Sequence, residues 1–282
     1  MNNIRKIWRV FILQLHTELF CWRNMLVFAV MAVFISSNLE PIAAMVNALG
    51  IKATPTGFVH LMNDHTCLTI LTIGIIFLYS NAPFRRESFS YIVYRSGKKN
   101  WEIGNVVYMC ISSLMYTSFL FVVSVLSLIR ETEFSLDGWG KIWGTLARTT
   151  ASTEFNVKVV VNDYILGKYE PMEALVATFV LIWLCFFFFG LLIYLFNHFF
   201  KKGLGVILAG IFVFLDTMIY NSWTPWAYRF SPLTLVQLTT YTNYHKHYGL
   251  TLSYAWIFFG VSILIMIFGI VLLSMRREQS YE

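Results

Sequence analysis

Long apolar runs separated by short polar stretches dominate this chain. Six of them approach the roughly 20 apolar residues that a helix needs to cross the hydrocarbon core of a bilayer. They run from Asn24 to Ala44, Thr66 to Asn81, Gly104 to Ile129, Glu173 to Asn197, Leu204 to Tyr220 and Tyr254 to Met275, the second and fifth being the shortest. Barrel strands are the only other way to satisfy backbone groups away from water, and they alternate polar with apolar over short stretches. Leu181 to Phe189, LIWLCFFFF, does not alternate. The pattern therefore predicts an all-α polytopic membrane protein.

Ahead of the first run, Ile4, Trp8, Phe11, Ile12, Leu15 and Leu19 recur at helical spacing, while Arg5, Arg9, His16 and Glu18 point elsewhere. That is an amphipathic helix, lying flat at the interface with Trp8 and Trp22 at headgroup level. The alternative is a cytosolic helix packed on the protein itself. Basic residues scattered through the first 23 positions, with no uninterrupted apolar centre, argue against a cleaved signal peptide.

Composition agrees: 57% of residues are hydrophobic, 18% aromatic and 13% charged, against about 25% charged in a soluble domain. Charge then sets the expected orientation, because lysines and arginines near the membrane stay in the cytoplasm. Of the 21 basic residues, thirteen fall in the amino-terminal segment, the loop after the second run, the Lys201-Lys202 turn and the carboxy-terminal Arg276-Arg277 pair. Both termini are thus predicted inside. The net charge of +6 is gathered on that rim, which suits anionic lipid and a cytoplasmic partner. Nucleic acid is not an expected partner, since Tyr91, Tyr94 and Trp101 are more simply interfacial anchors. Cys21, Cys67, Cys110 and Cys185 lack the paired spacing of a metal or redox motif and are expected to be small buried hydrophobes.

The loop PFRRESFSYIVYRSGKKNW, Pro83 to Trp101, mixes cations with aromatics. Phe84, Phe89, Ile92 and Val93 can form the apolar underside of a short helix, and Ser96-Gly97 a natural stop. Glu87 followed by Arg95, Ser96, Gly97, Lys98 and Trp101 resembles the first cytoplasmic loop of the ABC-2 type transporter permeases, the membrane subunits of ABC exporters. The resemblance extends to the layout: an amphipathic amino-terminal helix, six crossings, an enlarged outer loop after the third, and an outer segment containing Phe230-Ser231-Pro232. It implies one transmembrane domain over 1–282. Its parts are an interfacial helix over 1–23, three crossings over 24–129 with a coupling loop at 83–104, an outer loop region over 130–172, and three further crossings over 173–282 with an outer segment at 221–253.

The same resemblance implies a permease subunit, not itself an enzyme, in the cytoplasmic membrane of a bacterium. It would pair with a second permease, the same or a homologous chain, and with two copies of a separate ATPase that binds ATP and Mg. Glu87, Arg95 and Trp101 would couple to that ATPase. The chain fits by omission: Gly97-Lys98, Gly140-Lys141 and Gly167-Lys168 are not followed by Ser or Thr, and no phosphate-cradling loop, H-E-x-x-H or G-x-S-x-G motif occurs. No cofactor or metal is expected in the chain itself.

Between Arg130 and Pro171 the loop is long enough to carry structure of its own; Phe155 to Ile165 reads as a strand and Trp139 to Leu146 as a short helix, together a cap. Asn221 to Thr251 is rich in Trp and Tyr, an interfacial belt that in the resembled family forms short re-entrant helices. His245 and His247, two apart and without acidic or thiol neighbours, make a poor metal pair. Asp216 is the internal anomaly, a carboxylate in a crossing. It is either a rim residue bonded to nearby loops or part of the lining of the translocation cavity. Gly203, Gly205, Ala209 and Gly210, and Gly260 and Gly269, are expected at close helix contacts. Apolar or amphipathic cargo, an antimicrobial peptide or drug-like compound, suits such a chain best. An integral membrane enzyme would need clustered polar catalysts, and an ion-coupled carrier several buried charges or broken helices.

Overall fold

The computed structural model describes residues 3–84, 89–135, 137–221, 225–241 and 250–279. Among these it is all helical, apart from a single parallel bridge between Ala53 and Thr132. The elements are α1 (Asn3–Gln14), a π turn (Leu15–Leu19), α2 (Trp22–Leu49), α3 (Gly57–Asn63), α4 (His65–Tyr79), α5 (Phe89–Ser96), α6 (Lys98–Leu126), α7 (Gly140–Arg148), α8 (Ala151–Glu154), α9 (Asp163–Lys168), α10 (Pro171–Phe199), α11 (Leu204–Tyr220) and α12 (Leu252–Gln279). Short 3-10 turns, Pro225–Phe230, Thr234–Val236 and Leu238–Thr240, link α11 to α12.

Every predicted run coincides with a helix, but the helices differ in reach. Among the described residues α2, α6, α10 and α12 are long and apolar enough to cross a membrane alone, and α3 with α4 would make a fifth crossing if that pair, bent by 87°, is one span. At 1.5 Å per residue α4 and α11 extend only about 22 and 25 Å, short of the roughly 30 Å core. The break before α4 is written in Asp64, whose carboxylate accepts the Cys67 amide at 2.9 Å and caps the helix. At the far end of α2, Gly50 takes φ +64 and its amide closes onto Val46 O, the left-handed stop that glycine reaches without steric cost.

α10 is the central helix, packed against α3, α4, α6, α11 and α12. Its FFFFG stretch is buried, and Gly190 leaves room for the Tyr79 ring, which a Cβ there would meet at 2.9 Å. Tyr79 in turn donates to Met109 O at 3.0 Å and pairs with the Ser112 hydroxyl at 2.7 Å, tying α4 to α6. Large apolar side chains instead cover the outside: Leu26, Val30 and Val33 on α2, Ile207, Ile211 and Phe214 on α11, Ile257, Leu264, Ile265 and Phe268 on α12. So wide an exposed apolar belt is what hydrocarbon, not water, tolerates.

Several expectations change. Phe155 to Ile165 is not a strand: residues 155–162 are irregular, and Asp163–Lys168 is helical behind an Asn162 cap on the Tyr164 amide. The alternation there is real, with Val159, Val161 and Ile165 buried and Val160 exposed. However, the Val160 amide is satisfied by Asp64 Oδ2 at 3.3 Å, so no partner strand is required. The helix expected at Trp139 to Leu146 is α7. Of the small residues, Gly205 and Ala209 are buried, a Cβ on Gly205 meeting Ile193 O at 2.5 Å. A Cβ on Gly203, Gly210 or Gly260 would have no neighbour within 4 Å, and one on Gly269 only Leu195 at 3.9 Å, so these are not the close contacts expected.

Gly205→Ala should therefore lower the melting temperature of the purified protein, the overpacking costing about 1–3 kcal/mol. Gly210→Ala should be neutral or stabilise by up to about 1 kcal/mol through helix propensity, and thermal unfolding of the two variants in detergent separates them.

Candidate functional site

At the basic end of the bundle α1 lies across α6. Val10, Phe11 and Gln14 are buried there, and the approach is so close that a Cβ on Gly104 would meet Val10 Cγ1 at 2.6 Å. The opposite side of α1 leaves Ile4, Trp8 and Ile12 exposed. The helix is thus packed on the protein through one face, as the second alternative has it, and exposes apolar side chains on another. The π turn at Leu15–Leu19 shifts the phase so that Glu18 and Leu19 also face inward.

α5 stands beside α1 and is joined to α6 through Gly97 alone, whose φ of +83 turns the chain sharply. Arg95 is exposed on α5, as are Tyr91 and Tyr94. Glu87 lies outside the described residues. Trp101, in the first turn of α6, is 2% exposed, so it is neither an interfacial anchor nor a group that a partner could touch. The sequence brought Arg95 and Trp101 together as one motif, and the helical turn between them sends one out and one in.

Below this surface is a buried polar knot. Tyr194 donates to Glu102 Oε2 at 2.5 Å, Asn105 donates to the Tyr194 hydroxyl at 3.1 Å, and His198 Nε2 lies 3.3 Å from Glu102 Oε1. The four residues belong to α6 and α10 and are at most 6% exposed. Nearby, Asn197 donates to Ala82 O at 3.1 Å and accepts the Gly203 and Gly205 amides at 3.0 and 2.8 Å. Phe84 packs edge-on to Tyr108 at 5.3 Å and against Tyr194. Arg23 reaches from α2 to Ser80 Oγ at 3.2 Å and Leu78 O at 3.3 Å. The loop that carries α5 is therefore fastened at its root to α2, α10 and the start of α11. His198 and Tyr194 escape a reading of the sequence because nothing local marks them; a polar Asn-His pair ending an apolar run is the faint signal present.

The opposite end is a cap made of α3, α7, α8, α9 and the 3-10 turns. Trp143 donates to Thr54 O at 3.1 Å and Trp139 to Tyr169 O at 2.9 Å, with the buried His60 ring between the two indoles. Lys168 donates to the Tyr164 hydroxyl at 2.6 Å and to Tyr241 O at 3.0 Å. Burial pulls its pKa down, but the Tyr164 and Tyr169 phenols outweigh it and raise the ammonium above the usual lysine range.

Asp216 belongs to this cap. Its Oδ1 accepts Thr234 at 2.7 Å and Ser231 at 3.3 Å, its Oδ2 lies 3.0 Å from His65 Nδ1, and the His65 ring stacks on Tyr220 at 4.2 Å. Ser231 is the middle residue of the Phe-Ser-Pro stretch. The carboxylate also borders a cavity of about 250 Å3, whose other walls include Asn63, Asp64, Asn162 and Gln237. Asp216 is thus hydrogen-bonded to neighbouring segments, as the first alternative has it, and it borders this local cavity. Among the described residues no group of three His, Cys, Asp or Glu could hold a metal, and the four cysteines are unpaired thiols. His245 and His247 lie outside the described residues, as do Trp223, Tyr244 and Tyr248. No protein-family model, curated protein or solved structure matches this chain.

Leaving a buried polar atom without its hydrogen-bond partner commonly costs about 1–3 kcal/mol; Glu102→Ala, which strips Tyr194 and His198 of theirs, should do so, read as a drop in melting temperature that Arg95→Ala, on the exposed face, does not share. Asp216→Ala should leave the basic end unchanged and speed amide hydrogen exchange selectively over residues 231–241.

Proposed function

We propose that the chain is the permease subunit of an ATP-driven exporter of the ABC-2 type. It would cross the membrane six times, with α4 and α11 as the short crossings, and keep both termini in the cytoplasm. A second permease and two copies of a separate ATPase, which binds ATP and Mg, would complete the transporter. The observation that carries this proposal is the mounting of α5: a short amphipathic helix with Arg95 outward, rooted through Ala82, Phe84 and Trp101 in the packed ends of the crossings. A solvated connector needs no such root.

In this scheme the ATPase grips α5 around Glu87 and Arg95 and displaces it as nucleotide is bound and hydrolysed. Gly97 is followed directly by α6, so movement of α5 pulls on the first turn of that helix. Glu102 passes it to α10 through Tyr194 and His198. Trp101 transmits force by filling space and makes no contact with the partner. Because α10 touches α4, α6, α11 and α12, a tilt of that one helix rearranges the whole body. The cargo is hydrophobic or amphipathic, an antimicrobial peptide or drug-like compound, and leaves past Asp216 and the cap.

An ABC ATPase in an adjacent reading frame is what the scheme expects, and co-purification with that ATPase tests it. Arg95→Glu and Glu87→Ala should each lower the ATPase recovered by about tenfold, the scale of losing a central interface residue, whereas Asp216→Asn should leave recovery unchanged. Full ATPase recovery with Arg95→Glu would remove α5 as the coupling surface.

A further inference from the structure

We propose that the groove between α1 and α5 binds one anionic glycerophospholipid, with its phosphate among Lys6, Arg9 and Arg95 and an acyl chain along Val10, Leu13 and Ile92. These residues line a cavity of about 330 Å3. Its floor is apolar and its rim carries cations from both helices. An anionic group is the complement to such a rim, and the guanidinium forks match phosphate oxygens in pairs. The apolar floor adds what a free anion would not use.

The surroundings decide in favour of lipid over a soluble protein. The same helix that forms one wall exposes Ile4 at 71%, Trp8 at 57% and Ile12 at 44%. The chain that follows it exposes Phe20 at 52% and Trp22 at 83%. Such residues on a basic amphipathic helix sit at the boundary of headgroups and acyl chains, and Tyr91 and Tyr94, also exposed on α5, are the amphipathic rings favoured at that depth. Both walls of the groove therefore stand where lipid phosphates lie. The site needs only that the chain is embedded in a bilayer; in the exporter scheme lipid and ATPase would share Arg95, so Lys6 and Arg9 on α1 are varied instead. Its occupant would hold α5 against α1 and so make the seating of α5 depend on lipid composition.

Native mass spectrometry of the full chain, released from mixed micelles holding equal phosphatidylglycerol and phosphatidylcholine, tests this. The wild type should retain one phosphatidylglycerol with a preference of about tenfold, the scale expected of one to two cations near an anionic surface. Lys6→Gln with Arg9→Gln should bring retention to near parity. Lys201→Gln with Lys202→Gln, identical in net charge, should leave the preference intact. Leu13→Trp, which fills the floor without changing charge, should lower retention of both lipids. Equal loss in the two double variants would overturn the proposal in favour of a diffuse basic rim. So would release of the bound lipid by millimolar inorganic phosphate alone, or a soluble protein held by the wild-type groove in place of lipid.

Discussion

A belt of apolar side chains around the outside leaves polar atoms two places to go, the ends of the bundle and its interior. Backbone groups solve this by being helical throughout the belt. Side chains solve it by bonding to one another or to carbonyls: Tyr79 to Met109, Tyr116 to Leu71, Trp183 to Cys110. Each of these bonds crosses between helices, so the need to satisfy a polar atom also fixes a helix position. In a low-dielectric interior an unmade bond is costly, and this is why the contacts hold the crossings in one arrangement.

The two ends use this rule differently. At the capped end many separate bonds join irregular segments, among them Trp143 to Thr54 and Leu238 to Asn63, with the Asp64 carboxylate holding the Val160 amide. Such a set can be exchanged piecemeal, and the cavity beside Asp216 lies within it. At the basic end a few strong contacts converge on Glu102, and the neighbouring Asn197 fixes the turn into α11 with a single side-chain amide. The exposed α5 is attached to that end.

Much of the fold was legible in the sequence because helix formation in an apolar run is a local matter. All six runs are helical, Gly97 ends α5, and α7 falls where Trp139 to Leu146 predicted it. The failures are equally local in origin. Val157 to Val161 has the composition of a strand, yet strand pairing needs a second strand, and Asp64 answers the Val160 amide instead. Gly210 and Gly260 resemble Gly205 in sequence, but only the last faces a neighbouring backbone. Trp101 looks like a surface anchor until the first turn of α6 buries it.

The sequence by itself determined that this chain is helical and membrane-embedded, where its helices lie, and that its cations gather at one set of segments, because hydropathy and charge act residue by residue. Which polar groups meet was decided by tertiary structure alone. Glu102 and His198 stand at the far ends of α6 and α10 with the cap segments between them in the chain, and His65 and Asp216 are parted by everything from α4 to α11. No spacing rule links such pairs, since their proximity follows from how α10 packs at the centre and how the cap folds back over α4 and α11.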